Sequence, residues 1–258
     1  MKIVLLAGGL GSRLSEETYD KPKPMVSLCE TPIIVHIMRY FSYFGFNDFI
    51  ICLGYKGYVI KEYFSNYFLH QSDTIVDLKD NSITFLKSQA EDWRIHLIDT
   101  GQETQTGGRL KRVQQFIDTD EFFFTYGDGL TDADLNAELA FHKAHGKQAT
   151  VLSVAPPGRF GRLSISDDQV KSFQEKPSGD GQRINGGYFI LNKKVFDLID
   201  NDACIWENEP MHQLVKDGNL MAFLHEGFWH PMDTLRDKKF LENLIEQGKA
   251  PWMAKKHL

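Results

Sequence analysis

Two short stretches of this chain could grip an anion between them. Gly8-Gly9-Leu10-Gly11-Ser12-Arg13 follows directly on the apolar run Ile3 to Ala7, and Lys21-Pro22-Lys23-Pro24 comes soon after. Glycines let backbone N–H groups approach a ligand closely, and clustered cations face anions. Three kinds of loop compete for this pattern. A dinucleotide fingerprint needs G-x-G-x-x-G, but Leu14 stands at the third glycine position and the run Asp48 to Tyr55 ends without an acid. The G-x-x-x-x-G-K-[ST] phosphate loop is absent. The third kind holds a triphosphate with backbone N–H groups plus Arg13 and Lys23. Glycines alone would favour a plain strand-to-helix turn. Arg13 and the Lys-Pro-Lys-Pro stretch tip the balance, because Pro22 and Pro24 fix φ around Lys23 and are expected to hold it extended, aiming one charge at one place.

Other residues could complete such a site. Asp128, in Tyr126-Gly127-Asp128-Gly129, ends the apolar run Glu121 to Tyr126, so it projects from a strand end with small neighbours that leave room for phosphate. A turn aspartate is the competing account. Asp233 precedes Thr234, which could cap the last helix in its place. Glu175-Lys176 and Asn185-Gly186-Gly187 sit at the ends of strand-like runs, where a solvated ion pair and a β-bulge are the ordinary readings.

The elements that must position these residues alternate along most of the chain. Buried strands are expected at residues 3–7, 48–55, 95–100, 121–128 and 149–156. Helices are expected at residues 31–45, with Thr31 as N-cap and Pro32 at its first position, and at 57–68, from 106, and at 132–146. A hairpin should turn at Asp80-Asn81, and further strands and two helices follow to residue 248, among them paired strands across 220–231. This pattern is α/β: a Rossmann-like, doubly wound mixed sheet with ligands at the carboxyl ends of its strands, and a smaller β-rich lobe over that edge.

At 258 residues, 42% apolar and 25% charged, the chain has the size and composition of an ordinary globular protein. The net charge of −6 argues against nucleic-acid or membrane-surface partners, while a local cationic pocket for a small anion remains compatible with it. The N-terminal apolar run is too short for a leader peptide, and none reaches a membrane span. Three cysteines without metal or redox spacing fit free thiols in a reducing cytoplasm.

The combination GGLGSRL, KPKPM, YGDG, FQEKP, INGGYF and GFWHPMDTLRD, in this order over essentially the whole chain, resembles the sugar-phosphate nucleotidyltransferases. SEET, GYKGYVIKEYF, TGGRLKR and PPGRFG are similar to its cytidylyl branch. Two departures from the wider family point the same way: Ser15-Glu16-Glu17 replaces a proline-bearing loop, and Pro231 stands where an acid is usual, leaving Asp233 to supply the late carboxylate.

The resemblance implies a nucleotidyltransferase fold in a single domain, with residues 1–150 mainly on the nucleotide side and 151–258 mainly on the sugar-phosphate side. It implies CTP and α-D-glucose 1-phosphate as substrates, CDP-glucose and pyrophosphate as products, and a route into CDP-linked deoxysugar and O-antigen synthesis. Arg13, Lys23 and Asp128 would be catalytic, and Asp128 and Asp233 would hold Mg²⁺. Leu6, Ala7, Gly8, Gly9, Leu10, Gly11, Ser12, Arg13, Lys23, Thr104, Thr106, Gly107, Gly108, Arg109 and Gly127 would contact nucleotide, with ordinary helix entry an open alternative for Thr106. Glu175, Lys176, Asn185 and Gly186 would hold the sugar phosphate. A homo-oligomer is implied, a hexamer among the numbers allowed, and Trp252 is a candidate to pack on a neighbouring subunit. A uridylyl- or thymidylyltransferase, or a non-catalytic sugar-nucleotide sensor, could carry the same fold. The survival of Arg13, Lys23, Asp128 and Asp233 together favours the enzyme.

Overall fold

In the computed structural model, residues 1–9, 11, 14–86, 90–156, 162–166, 169–174 and 183–253 are described. The first apolar run forms β1 (Lys2–Leu6), buried throughout. A short helix α1 (Ser15–Thr18) and a 3-10 turn (Lys23–Met25) follow. Lys23 therefore opens a turn, closed by Met25 N–H donating to the Pro22 carbonyl, and is not extended as expected; the extended backbone lies on either side, at Pro22 and Val26.

The next helix also begins differently. Thr31 and Pro32 form β3 (Thr31–Pro32), laddered on β2 (Ser27–Leu28), and α2 (Ile33–Tyr43) starts one residue beyond Pro32. Then come β4 (Asp48–Leu53), α3 (Gly57–Ser65) and α4 (Tyr67–Gln71). The last two were expected as one helix. Asn66 interrupts them, with its amide donating to the Glu62 carbonyl at 2.9 Å. The hairpin β5 (Asp73–Asp77) and β6 (Ser82–Leu86) turns through Asn81 in the left-handed region.

The chain continues through β7 (Arg94–Asp99), α5 (Thr106–Arg112), β8 (Glu121–Tyr126), β9 (Gly129–Thr131), α6 (Leu135–His145) and β10 (Ala149–Val154). A hairpin of β11 (Arg162–Ser166) and β12 (Gln169–Gln174) precedes β13 (Ile184–Asn192) and α7 (Glu209–Lys216). The last elements are β14 (Leu220–His225), β15 (Trp229–Pro231) and α8 (Leu235–Glu246). The strands expected to pair with each other across 220–231 do not: β14 lies parallel to β10, and β15 pairs with β9.

Seven strands form one mixed sheet in the order β14-β10-β13-β8-β1-β4-β7. β13 alone runs antiparallel to its neighbours β10 and β8, and the other pairings are parallel. Phe122, Phe123 and Phe124 show how both faces are covered. Alternation along β8 sends Phe123 into one buried cluster with Phe41 and Phe49, and Phe122 and Phe124 into the other with Trp206 and Phe196. The doubly wound architecture expected from the alternating pattern is thus the one observed. Trp252 is buried within its own chain, stacked on Phe228 at 5.3 Å between ring centres, so it is not available to a neighbouring subunit. Among the described residues, no helix is long and apolar enough to cross a membrane.

Candidate active site

The parallel strands deliver their carboxyl ends to one edge, and a cavity of about 520 Å³ opens there. Leu6, Ala7, Gly8, Gly9 and Gly11 from the loop after β1 line it. So do Lys23, the segment Gln102 to Thr106, Arg109, and Tyr126, Gly127, Asp128 and Asp233. A smaller pocket of about 80 Å³ adjoins it, lined by Asn185, Gly186, Gly187, Tyr188 and Trp229, with Tyr126 and Asp128 common to both. The sequence-derived residues Leu10, Ser12, Arg13, Glu175 and Lys176 lie outside the described residues.

Asp128 and Asp233, distant in sequence, meet through the β9–β15 ribbon, in which Gly129 pairs with Pro231. Met232 N–H donates to the Asp128 carbonyl at 2.8 Å and closes the ribbon's end. Thr234, not Asp233, caps α8 in a reciprocal capping box with Asp237, which leaves the Asp233 side chain to face the cavity. The ammonium of Lys23 lies between the two acids, 2.6 Å from Oδ2 of Asp128 and 2.6 Å from Oδ1 of Asp233. Burial works to lower the lysine's pKa, but the two carboxylates outweigh it and hold the value above the ordinary one. Two carboxylates thus converge on one cation position, which fits a hard divalent ion completed by phosphate oxygens.

Arg109 has a different part from the one expected. Its guanidinium is buried and donates to the carbonyls of Gly8, Leu53, Gly101 and Gln102 and to the Thr100 hydroxyl. It lines the cavity while tying together the ends of β1, β4 and β7. Gly8 is glycine for this reason, since a Cβ there would lie 2.3 Å from Nη1 of Arg109. Gly9, by contrast, faces open space. At Gly127 a Cβ would meet Pro24 Cγ at 2.8 Å and the Leu6 carbonyl at 2.9 Å.

Gly107 and Gly108 do not line the cavity. Their N–H groups donate to the Cys204 carbonyl at 3.0 and 3.1 Å, and a Cβ at Gly108 would lie 2.5 Å from the Asp202 carbonyl. The pair admits the 202–204 loop. Thr104 and Thr106 remain at the cavity, with Thr106 Oγ1 bonded to Glu207. Asn185 and Gly186 sit where β13 slips register against β10, so the expected bulge exists and coincides with the small pocket. The Asn185 side-chain Oδ1 accepts from Gly187 N–H, and the Gly186 backbone carbonyl accepts from the Trp229 indole.

Sequence reasoning passed over Tyr126, Trp229 and Glu207. The first two lie inside quoted motifs but were not singled out. Glu207 carries no signal beyond an acidic helix entry.

The doubly wound sheet, the glycine-rich loop at its carboxyl edge and the paired acids beside one lysine define an α/β protein of the nucleotide-handling class. The nucleotidyl transferase family model matches residues 2–234, and the chain belongs to that family. It is 60% identical over 253 residues to glucose-1-phosphate cytidylyltransferase of Salmonella typhi, covering 98% of each chain. It is 40% identical over 253 residues to the probable glucose-1-phosphate cytidylyltransferase of Bacillus subtilis strain 168, covering 98% of this chain and 99% of that one. The structure of a UDP-glucose pyrophosphorylase complexed with UDP-glucose has the same fold, with a TM-score of 0.68 at 14% identity over 96% of this chain and 98% of that one.

Proposed function

We propose that this chain transfers the cytidylyl group of CTP to α-D-glucose 1-phosphate, forming CDP-glucose and pyrophosphate. The observation that carries the reading is the 60% identity over nearly the full length of both chains with an enzyme of that name. The larger cavity takes the nucleotide and the smaller pocket the glucose, so that the phosphates meet beside Asp128, which both share.

The attacking oxygen belongs to a phosphate monoester with a second pKa of about 6, so it needs no general base at neutral pH. What the reaction needs is alignment of two anions and relief of their repulsion. Lys23 supplies charge beside the α-phosphate, and Arg13 acts with it. The N–H groups of residues 8–12 cradle the phosphates, and Glu175 and Lys176 serve the sugar phosphate. Asp128 and Asp233 hold Mg²⁺, which when bound neutralises phosphate charge and orients the α-phosphate. In this reading a single domain divides into a nucleotide half, residues 1–150, and a sugar-phosphate half, residues 151–258, a division compatible with one sheet that draws strands from both.

Pyrophosphate release across CTP, UTP, dTTP and GTP with several hexose 1-phosphates tests the reading. CTP with glucose 1-phosphate should give the highest kcat/KM, and comparable efficiency with UTP or dTTP would move the chain to another branch of the family. Asp128→Asn and Asp233→Asn should each lower turnover by orders of magnitude while leaving the fold intact. Near-wild-type turnover of either would remove that acid from the site.

The proposal extends to a homo-oligomer, including a hexamer, in the cytoplasm. It is supported by the β5–β6 hairpin, on which Ile75, Val76, Leu78, Ile83 and Phe85 are all exposed. An isolated two-stranded hairpin is marginal in water, and a second copy of the chain would cover it. Sedimentation should show an assembly that Val76→Lys with Ile83→Lys reduces to a smaller species; a wild-type monomer would overturn it.

A further inference from the structure

We propose that Glu207, outside every motif and lining neither pocket, is the positioning residue that fixes the wall shared by the two sites. The inference rests on the reading of those pockets as nucleotide and sugar-phosphate sites. Both oxygens of its carboxylate are used on hydroxyls from different walls. One accepts from the phenol of Tyr126, and the other accepts from Thr106 Oγ1 at 2.7 Å. Tyr126 lies on β8, two residues before Asp128, and its side chain borders both cavities. Thr106 opens α5 and lines the larger one.

The loop carrying Glu207 is itself held firmly. Trp206, fully buried, packs edge-on against Phe124 and Phe189, and its backbone N–H donates to Thr106 Oγ1 at 2.9 Å. Gln105 N–H donates to the Asp202 carbonyl at 2.8 Å. Glu207 therefore couples a firmly held loop to two residues that line the larger cavity. Burial and the adjacent carboxylate both raise the Tyr126 pKa, so the phenol stays protonated and always donates. On its other side the ring is confined by Gly187, where a Cβ would lie 2.7 Å from Tyr126 Cδ2. Glu207 thus fixes one end of a ring whose other face has no slack.

The acids are positioned by other means. Gly127 N–H donates to the Leu6 carbonyl at 3.0 Å and Met232 N–H to the Asp128 carbonyl at 2.8 Å. Loss of Glu207 should accordingly loosen the shared wall and leave Asp128 and Asp233 in place. That separates substrate seating from turnover.

The test is Glu207→Gln, which keeps one of the two acceptor oxygens and turns the other into an NH2 donor, together with Tyr126→Phe and the double variant. Glu207→Gln should raise KM for both CTP and glucose 1-phosphate by about tenfold, as for one lost charge-assisted hydrogen bond. Its kcat should stay within about threefold of wild type, as expected when only uniform binding is removed. The double variant should fall short of the product of the two single effects, because Tyr126→Phe removes one of the two bonds that Glu207→Gln alters. A role confined to folding would lower thermal stability without this split between KM and kcat. Unchanged KM values in Glu207→Gln, or effects that multiply in the double variant, would overturn the inference. The wild type is assayed alongside: if it fails to turn over CTP with glucose 1-phosphate, the functional reading falls and takes the inference with it. Normal wild-type turnover with an unaffected Glu207→Gln defeats the inference alone.

Discussion

The ammonium of Lys23 stands where a divalent cation would be expected between Asp128 and Asp233. One charge cannot both neutralise those carboxylates and face a triphosphate, so in the proposed reaction the lysine exchanges partners as the metal–nucleotide complex arrives. Replacing it with an uncharged chain of similar length removes the cation the two carboxylates share, which is costly and strengthens their hold on any metal. Lys23→Met should therefore bind Mn²⁺ several-fold more tightly than wild type in the absence of nucleotide, read by electron paramagnetic resonance of the free ion. Its turnover should fall by about two to three orders of magnitude, the scale for removing a group that stabilises transition-state charge. Mn²⁺ affinity equal to or below that of the wild type would show that the lysine does not compete for this position. The same scale shows what a residue type conceals in sequence. Gly8 reads as a phosphate-loop glycine, yet its missing Cβ is required by the buried guanidinium of Arg109. Arg109 reads as a ligand contact, yet backbone carbonyls and one hydroxyl take up its hydrogen bonds.

Among the elements, α6 carries a liability that no motif announces. Glu138 is fully buried on it, and neither carboxylate oxygen has a hydrogen-bond partner among the described residues. Burial pushes its pKa up from 4.5 to about 8, and its charge bears on the phenols of Tyr40 from α2 and Tyr188 from β13. The folded chain holds a proton here that the unfolded chain releases above pH 4.5. This group's contribution to stability is therefore greatest below that pH and is lost as pH rises towards 8, by up to about 1.4 kcal/mol per pH unit. Glu138→Leu should gain stability relative to wild type progressively over that range, measured as the urea midpoint at several pH values. A pH-independent difference would refute the assignment. Period and propensity made most elements legible, because buried parallel strands and amphipathic helices show themselves in runs of a few residues. The failures were local competitions. Pro32 reads in the sequence as the first residue of α2, but pairing with Ser27 makes it the end of a ladder. The Asn66 amide breaks a helix by donating to the Glu62 carbonyl, and β15 pairs with β9 rather than β14, a partner too distant in sequence for local pattern to identify. The meeting of Asp128 with Asp233 depends on that last pairing, so family resemblance could name the two acids while local pattern could not bring them together.

At the scale of the whole molecule, the two pockets open onto the same carboxylate and share one tyrosine wall. This layout suits direct transfer between two bound substrates. A two-step route would need a nucleophile beside the larger cavity, and its described lining contains no cysteine or histidine. The thiol of Cys52 is fully buried, with its pKa pushed up to about 12 by that burial, so it is protonated and unreactive at neutral pH. Lys23 has its pKa raised against the effect of burial by its two acids, and as an ammonium it has no lone pair to attack phosphorus. Thr104 and Thr106 do line the cavity, but Thr106 already donates to Glu207 and neither hydroxyl is hydrogen-bonded to a histidine that could activate it. Direct transfer predicts that both substrates are bound before either product leaves. Initial-rate plots with CTP and glucose 1-phosphate varied together should intersect, and exchange of label between pyrophosphate and CTP should require the sugar nucleotide. Incubation with α-labelled CTP and Mg²⁺ alone is the decisive arm. Label retained on the denatured chain in stoichiometric amount, with pyrophosphate released before any sugar phosphate is added, would replace single displacement by a nucleotidylated intermediate.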